Sequence, residues 1–359
     1  MIEIDFAALA CVGLTPAVAQ GAAGLQEDND AALRLLRVTE VHREGVRLHD
    51  GRDERAARAV PRLERHLAES ADALAVGDWV LAAVDACGQA WVHARVPPLS
   101  HLARRDGEGR RRAIASNVDT ALVVMGLDGD YSPRRAERYL ALVQGNGVTG
   151  VVVVTKADLV AEHERDERID ELQRRLPAQV DVVAVNATDP ATAQRLAPYL
   201  GVGQTIVLLG SSGAGKSTLT NTLLGASVQA TGAVREHDSR GKHTTRARSL
   251  FCLPQGGCVI DTPGLRSLKP DVGEAGLAAS FGDVDALALH CRYRNCTHGA
   301  EPGCAVRDAV DADRLRNYQK LLRDVRRDAM TALERQRQVA GWKVRSKAVR
   351  AWMKAKGRV

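Results

Sequence analysis

The stretch "GSSGAGKS", residues 210–217, decides the fold of this 359-residue chain. It fits the pattern G-x-x-x-x-G-K-[ST] at every fixed position, directly after the apolar run "TIVLLG" and directly before the helix-like "STLTNTLLG". A strand, a glycine-rich loop and a helix in this order place backbone N–H groups and a helix N-terminus around a phosphate. The sequence therefore predicts a nucleotide-phosphate site at this loop.

The loop and the first turn of its helix supply most of the predicted nucleotide contacts. Lys216 is expected to bridge the terminal phosphates and to take part in catalysis, and the Ser217 hydroxyl is expected to bind Mg²⁺. The residues predicted to bind nucleotide here are Gly210, Ser211, Ser212, Gly213, Ala214, Gly215, Lys216, Ser217 and Thr218.

Two segments downstream of the loop complete the predicted magnesium site. In "VIDTPG", residues 259–264, Asp261 is expected to hold Mg²⁺ through water, and the Gly264 N–H is expected to sense a γ-phosphate. The stretch "RGKHTTRARSL" lies between the loop and this segment and contains Thr244 and Thr245. One of these threonines is expected to bind Mg²⁺ only when the γ-phosphate is present. The sequence does not choose between them.

The stretch "VTKADLV", residues 154–160, is predicted to recognise the base. The Asp158 carboxylate is suited to accept hydrogen bonds from N1 and the N2 amino group of guanine. Adenine has no N2 amino group, so GTP is favoured over ATP. Lys156 is expected to lie along the base plane. Thr155 stands where the common motif has asparagine, whose amide braces the phosphate loop and reaches the base, and the threonine is expected to do less of both.

The base segment precedes the phosphate loop, which reverses the order of ordinary GTP-binding domains. Between these motifs, apolar runs alternate with amphipathic segments, a pattern typical of a parallel sheet covered by helices that binds ligands at its carboxyl edge. The loop "VNATD", residues 185–189, is predicted to support the base through Asn186 and Ala187. The whole order predicts a circularly permuted GTPase, in which the usual domain is cut after the "DTPG" region and its old ends are joined.

Composition and periodicity predict four regions in the chain. Residues 1–34 are an N-terminal extension with weak helical signals, and residues 35–102 contain short β-like segments that predict a small barrel. An OB-type barrel is the natural candidate, although periodicity does not separate it from an SH3-like barrel. Residues 103–275 are the predicted permuted GTPase domain, of the α/β class. Residues 276–359 are a helical zinc-binding domain with a basic tail.

The zinc prediction rests on the spacing Cys291-x4-Cys296-x-His298-x5-Cys304. Three thiolates and one imidazole form a closed set of ligands for a tetrahedral, structural Zn²⁺ ion. Because no ligand position is left open, the ion is expected to stabilise the fold rather than to take part in chemistry. His290 is an alternative ligand to His298.

The positive charge of the chain is concentrated at its C-terminus. The net charge is +6, and residues 305–358 contain sixteen basic against six acidic residues. This asymmetry favours contact with a polyanion, although a solvated basic helix is the alternative. Aromatic residues are only 3% of the chain, which disfavours base stacking and favours contact with RNA phosphates. The parts of the chain expected to contact RNA are the barrel, the arginine-rich stretch Arg104 to Arg112, and the basic-tail residues Arg326, Arg327, Lys343, Arg345 and Lys347. The arginine-rich stretch lies within residues 103–117, which are predicted to be either a linker or an exposed basic edge.

The sequence predicts a cytoplasmic protein with no membrane partner. Its apolar runs are far shorter than the ~20 residues that cross a bilayer. The N-terminus, "MIEIDFAALA", has acidic residues where a secretory signal has basic ones.

Taken together, the motifs resemble the RsgA family of circularly permuted GTPases. The resemblance rests on "VGDWV", "SNVDTALVV", "GSSGAGKST", "GKHTT", "DTPG" and "CRYRNCTHGAEPGCAV". It implies an OB barrel, a permuted GTPase domain and a zinc-binding helical domain with His298 as the ligand. It also implies a role late in maturation of the small ribosomal subunit, which stimulates GTP hydrolysis. The expected partners are GTP, GDP and the small subunit with its rRNA, and the protein is expected to be a monomer. Thr155 and Asn186 depart from the family's usual asparagine and serine.

Hydrolysis requires a residue that orients the attacking water, and the position that usually supplies this residue does not do so here. Many GTPases place a glutamine after the "DxxG" motif, and here Leu265 follows it. His243, next to the two threonines, is the predicted catalytic substitute. Two other functions remain open, namely a permuted GTPase for large-subunit assembly and a non-catalytic, nucleotide-regulated RNA-binding scaffold.

Overall fold

The computed structural model describes residues 2–25, 32–105, 110–227, 248–263, 269–270 and 272–329. The chain divides into two compact units, Met1–Gly282 and Asp283–Val359. None of the helices in the described part of the chain has the length and hydrophobicity of a membrane span.

The first unit begins with an extension that packs on a barrel. Strand β1 and helices α1 and α2 form the extension, and five strands with one helix form the barrel. Their bounds are β1 Ile2–Glu3, α1 Phe6–Ala10, α2 Pro16–Ala23, β2 Leu33–His42, β3 Gly45–His49, β4 Glu54–Ala59, α3 Pro61–Glu69, β5 Trp79–Val84 and β6 Ala90–Arg95. The side chains of Asp5 and Thr15 cap α1 and α2, and Pro16 occupies the first turn of α2.

The barrel is closed and has the OB arrangement. Strand β2 pairs with both β3 and β5, β3 pairs with β4, and β6 pairs with β4 and β5. The β4–β6 pairing is parallel, and α3 lies between the third and fourth strands of the barrel. This closed five-stranded path confirms the OB-type barrel over the SH3-like alternative.

A buried arginine joins the extension, the barrel and the next domain. The Arg37 guanidinium on β2 donates to the Val12 carbonyl and, at 3.1 Å, to the Asn117 carbonyl, and it lies 5.2 Å from the centroid of the Trp79 ring. Apolar residues of the extension, including Leu9 and Val12, share one core with Leu35 and Trp79 of the barrel. The extension is therefore an integral part of the first unit.

The arginine-rich stretch forms a β-hairpin rather than a simple linker. Strand β7 is His101–Arg105 and β8 is Arg111–Ser116, and residues 106–109 lie outside the described residues. Leu102 and Ile114 are buried, which holds the hairpin in place, while Arg111 and Arg112 are exposed on the outer strand. Of the two interpretations offered by the sequence, the structure favours the exposed basic edge.

A second set of strands forms the predicted parallel sheet. Its elements are β9 Thr120–Gly126, α4 Pro133–Gln144, β10 Thr149–Thr155, a 3₁₀ turn Ala157–Leu159, α5 Glu162–Arg175, β11 Val182–Ala184, α6 Thr192–Leu196, a 3₁₀ turn Ala197–Tyr199, β12 Thr205–Leu209, α7 Lys216–Leu224, β13 Ser249–Cys252 and β14 Cys258–Asp261. The strand order is β11-β10-β9-β12-β14-β13, and β13 alone among these six runs antiparallel. The phosphate-loop strand β12 thus lies in the middle of the sheet although three of its strands precede it in the chain.

Burial on both faces explains the composition of these strands. All seven residues of β9 are buried, and Leu122, Val153 and Leu208 share one core under the helices. Near-continuous apolar runs are what a sheet with two covered faces requires. At the sheet's edge, Ser249 of β13 pairs with Glu40 of β2, so the sheet continues into the barrel.

The remaining elements lead to the second unit. Strand β15, Lys269–Pro270, pairs antiparallel with β7. Helix α8, Glu274–Ala288, leaves helical geometry at Phe281, and it is followed by α9 Ala305–Ala309 and α10 Ala312–Ala329. Within the second unit, Arg314 forms an ion pair with Asp283 at 2.7 Å.

Candidate functional site

The phosphate loop is packed tightly between β12 and α7. Gly213 and Gly215 have φ values of 83° and 92°, a backbone conformation that favours glycine. A side chain at Gly210 would place its Cβ 2.3 Å from the Val124 carbonyl oxygen of β9. These glycines therefore allow the backbone to wrap closely, as a loop that binds phosphate through its N–H groups requires.

The Lys216 side chain lies inside this loop and contacts its backbone. Its ammonium donates to the carbonyls of Gly210 at 3.1 Å and Ser211 at 2.7 Å, and the side chain is buried. Burial lowers the pKa of Lys216 to about 8, although the nearby Asp261 and Asp130 carboxylates partly oppose this shift. A buried cation with few counter-charges is well placed to bind terminal phosphates.

Ser217 and Asp261 come together at the carboxyl edge of the sheet. The Ser217 hydroxyl lies 3.4 Å from Asp261 Oδ2, and Thr262 donates to the Leu208 carbonyl at 2.6 Å, which fixes the end of β14. Burial raises the pKa of Asp261 to about 6. Asp261 Oδ1 is buried and has no hydrogen-bond partner among the described residues. A hydroxyl beside a buried carboxylate oxygen fits a hard cation such as Mg²⁺.

Thr155 connects the base segment to the phosphate loop. Its hydroxyl donates to the Ala214 carbonyl at 2.7 Å and lies 3.4 Å from the Met125 carbonyl oxygen, and the residue is fully buried. The methyl and hydroxyl of Thr155 also lie against Gly215, where an added Cβ would meet them at 3.4–3.6 Å. The threonine thus braces the loop, which the sequence assigned mainly to asparagine.

Lys156 and Asp158 lie at the end of β10. Lys156 has a left-handed φ of 60°, and its ammonium forms an ion pair of 2.5 Å with Asp128. This pair holds the lysine stem along one side of the site. Asp158 follows in the 3₁₀ turn Ala157–Leu159 and is exposed, so its carboxylate is accessible to a base.

The loop at residues 185–189 is tied to the phosphate helix. Asn186 Oδ1 accepts hydrogen bonds from the Thr188 N–H at 3.0 Å and the Thr188 hydroxyl at 2.7 Å. The Thr222 hydroxyl of α7 donates to the Ala187 carbonyl at 2.6 Å. The Asn186 side chain is therefore used to shape the loop.

Sequence reasoning missed a group of polar residues behind the phosphate loop. Arg135, in the first turn of α4, donates to the Ser211 hydroxyl at 2.9 Å and forms an ion pair with Asp130. The Ser211 hydroxyl in turn donates to Asp130 Oδ2 at 2.5 Å. Asp130 follows β9 at the carboxyl edge of the sheet, and that position was the only sequence signal that could have indicated it.

The predicted zinc ligands converge in the second unit. The ligand atoms of Cys291, Cys296, His298 and Cys304 all lie within 4.8 Å of one another. His298 Nδ1 lies 3.5 Å from Cys304 Sγ and 3.7 Å from Cys291 Sγ. Cys304 is buried and caps α9, and Gln319 of α10 donates to the His298 carbonyl at 2.9 Å. Four ligand atoms this close together fit one tetrahedral metal ion.

Several predicted residues lie outside the described residues. They are His243, Thr244, Thr245 and Gly264 of the nucleotide site, and Lys343, Arg345 and Lys347 of the basic tail. Their roles stay predictions.

Comparison with known proteins decides the family. The family described as RsgA GTPase matches residues 96–270. The protein named small ribosomal subunit biogenesis GTPase RsgA from Xanthomonas oryzae pv. oryzae (strain MAFF 311018) is 48% identical over 297 residues, which cover 79% of each chain. The protein of the same name from Xanthomonas campestris pv. campestris (strain B100) is 49% identical over 296 residues, again 79% of each chain. The chain belongs to the RsgA family of GTPases.

Solved structures support the RsgA fold. YloQ, described as a circularly permuted GTPase, is 20% identical with a TM-score of 0.57 and covers 86% of this chain and 100% of its own. YjeQ from Thermotoga maritima is 22% identical with a TM-score of 0.59 and covers 82% and 98%. The family described as ABC transporter also matches residues 194–352, a range that contains the phosphate loop shared by many nucleotide-binding proteins.

The hydrogen bond from the Thr155 hydroxyl to the Ala214 carbonyl can be tested by substitution. Thr155→Val removes the hydroxyl and keeps the shape, so the buried Ala214 carbonyl loses its donor at a cost of ~1–3 kcal/mol. We expect GDP binding to weaken about tenfold, measured with a fluorescent GDP analogue. Thr155→Ser keeps the hydroxyl and should bind within about twofold of wild type. Equal affinity of the valine and serine variants would contradict the role of the hydroxyl.

Proposed function

We propose that this protein hydrolyses GTP to GDP and phosphate as a late maturation factor of the small ribosomal subunit. In this role it binds rRNA and couples its nucleotide state to release from the subunit. The observation that carries the proposal is the joining of a phosphate loop, with Lys216, Ser217 and Asp261, to a base segment that precedes it in the chain. Relatives with 48% identity are named for small-subunit biogenesis.

Guanine selectivity is assigned to Asp158. Its carboxylate is exposed at the end of β10 and offers two acceptor oxygens to N1–H and the N2 amino group of guanine. Lys156, held by Asp128, covers the side of the base, and the loop containing Asn186 and Ala187 supports it from the opposite side of β10. Adenine would leave Asp158 without its donors, which disfavours ATP.

We assign the catalysis of hydrolysis to the positioning of the attacking water and to the neutralisation of phosphate charge. A bound Mg²⁺ ion would neutralise phosphate charge, and Ser217, Asp261 and one of Thr244 and Thr245 would hold it. Lys216 binds the terminal phosphates from within the loop, and the Gly264 N–H contacts the γ-phosphate. His243 orients the attacking water, because Leu265 has no group that can do so.

The second unit is assigned a structural zinc ion. Three thiolates and one imidazole leave no open ligand position, so a bound ion would connect the loop after α8 with the N-cap residue of α9. Such a site contributes its binding free energy directly to folding.

The RNA-binding surface is assigned to basic residues outside the nucleotide site. Arg111 and Arg112 are exposed on the outer strand of the β7–β8 hairpin, and Arg326 and Arg327 lie in the last turn of α10. The basic tail beyond residue 329 adds further positive charge. These groups suit contact with phosphates of folded rRNA, in a monomer that works in the cytoplasm.

A hydrolysis assay tests the enzymatic proposal. Wild type should hydrolyse GTP faster than ATP, and added small ribosomal subunits should raise the GTP rate, whereas large subunits should not. Lys216→Ala should abolish turnover because it removes charge from the phosphates. His243→Ala should lower GTP turnover by roughly 10- to 100-fold and leave GDP affinity within about threefold.

The exposed His163 on α5 provides the matched control for His243. His163→Ala should hydrolyse GTP like wild type. Equal use of ATP and GTP would contradict guanine selectivity. An absence of hydrolysis even with small subunits would favour the non-catalytic scaffold, and stimulation by large subunits alone would favour the other branch of permuted GTPases.

Metal analysis tests the zinc proposal. Purified wild type should contain about one zinc per chain, because the four ligands form one closed site. Cys296→Ser should lose most of the zinc and lower the melting temperature of the second unit. Cys87→Ser, which changes an exposed cysteine of the barrel, should keep both. Wild-type protein with far less than one zinc per chain would contradict the proposal.

A further inference from the structure

Two cysteines outside the metal cluster face each other across the β13–β14 hairpin. Cys252 ends β13, Cys258 begins β14, and the two are directly opposite in the strand register. Residues 253–257 form the turn between them, which is closed by a hydrogen bond of 2.7 Å from the Leu253 N–H to the Gly257 carbonyl. Side chains directly opposite each other in a sheet lie on the same face.

The backbone hydrogen bonds show which of the two classes of antiparallel residue pair Cys252 and Cys258 form. The Cys258 N–H donates to the Gln204 carbonyl at 2.8 Å and thus points away from β13. Cys252 and Cys258 therefore form a non-hydrogen-bonded pair, in which the Cα atoms are ~4.5 Å apart. Disulfides span Cα separations of ~4.4–6.8 Å. A bridge between the two sulfurs fits this separation without movement of the strands.

A third cysteine, Cys11, lies nearby, and its thiol contacts backbone carbonyls. Cys11 Sγ lies 3.0 Å from the Ala8 carbonyl oxygen and 3.2 Å from the Gly51 carbonyl oxygen, and either can accept its S–H hydrogen. Its own carbonyl oxygen lies 3.5 Å from Cys258 Sγ. Cys258 is buried, whereas Cys252 is half-buried at the border of the core that contains the N-terminal extension. The pair thus has one protected and one accessible sulfur.

The surroundings make Cys258 the more acidic of the two thiols. The neighbouring Cys252 thiol lowers the pKa of Cys258, and the positive charge of Arg37 lowers it further, whereas burial opposes both. The neighbouring Cys258 sulfur and burial raise the pKa of Cys252. A disulfide forms when an accessible sulfur is oxidised first and a more acidic sulfur beside it resolves the product.

We propose that Cys252 and Cys258 form an oxidation site that a peroxide converts into an intramolecular disulfide. The accessible Cys252 sulfur attacks one peroxide oxygen as a thiolate, the O–O bond breaks, and a sulfenic acid forms while the other oxygen leaves as hydroxide and takes up the proton that Cys252 released, to become water. The Cys258 thiolate then attacks the sulfenic sulfur, the S–O bond breaks, and the leaving hydroxide takes up the proton that Cys258 released, to become a second water. In total, two thiols lose two electrons and one peroxide is reduced to two waters.

The hairpin links this site to the nucleotide. Strand β14 runs from Cys258 to Asp261, the residue proposed to hold magnesium, and Asp261 is the register partner of Ser249 at the start of β13. A covalent bond at the turn end of the hairpin fixes the register of the two strands. Oxidation therefore restricts the strand that carries Asp261, and we expect GTP turnover to respond.

Peptide mapping tests the site without reference to hydrolysis. Cleavage after Arg248 and Arg266 releases both cysteines in one peptide, residues 249–266. After hydrogen peroxide treatment and thiol alkylation, the wild-type peptide should carry no alkyl group and lack the mass of two hydrogen atoms. Dithiothreitol should restore two alkylated thiols. A peptide that stays fully alkylated, or one joined through Cys252 to the peptide that contains Cys11, would overturn the proposal.

Serine variants separate this bridge from oxidation elsewhere. Cys252→Ser changes the half-buried partner and should prevent the bridge, and Cys258→Ser should do the same. Cys87→Ser should oxidise like wild type. In a GTP hydrolysis assay, peroxide should change the turnover of wild type by at least twofold relative to Cys252→Ser treated in parallel, and dithiothreitol should reverse the change. Bridged wild type with unaltered turnover would overturn the link to the nucleotide site, since damage to the metal cluster affects both proteins equally.

Discussion

One buried hydrogen bond joins the two ends of the nucleotide site. The Thr155 hydroxyl donates to the Ala214 carbonyl at 2.7 Å, although 59 positions separate these residues in the chain. Lys156 and Asp158 follow Thr155 directly, and Lys216 and Ser217 follow Ala214 almost directly. The bond therefore fixes the distance between the segment proposed to recognise the base and the loop proposed to bind phosphate. Loss of either partner leaves a buried polar group unsatisfied, which makes this contact costly to break.

Such a contact depends on neighbours in space and tolerates a change of chain order. The sheet keeps β9 and β14 on either side of β12, so the phosphate loop has the same surroundings whether the base segment comes before or after it. The order matters for the path of the chain beyond Asp261. The chain leaves the sheet there and continues through α8 to the Cys/His cluster. We expect this covalent path to connect the nucleotide state with the proposed RNA-binding surface.

The sequence predicted those features that local chemistry determines. The phosphate loop is recognisable because its glycines, Lys216 and Ser217 lie between a strand and a helix, and the metal cluster because its four ligands are close in sequence. The sequence could not reveal the role of Thr155, which depends on a carbonyl from a distant loop. The same limit explains the ion pair of Arg135 with Asp130 and the buried Arg37, since each is stabilised by partners that only the folded chain brings near. The arginine-rich stretch forms two paired strands, β7 and β8, although its composition is typical of a linker.

The central claim is that a base segment placed before the phosphate loop still selects guanine through Asp158. The most direct measurement compares the binding of guanine and xanthine nucleotides to wild type and Asp158→Asn. Xanthine has a carbonyl where guanine has the N2 amino group, so the asparagine amide should donate to it. The variant should lose GDP affinity by roughly 10²-fold or more and bind XDP more tightly than GDP. A variant that retains wild-type preference for GDP over XDP would contradict the claim.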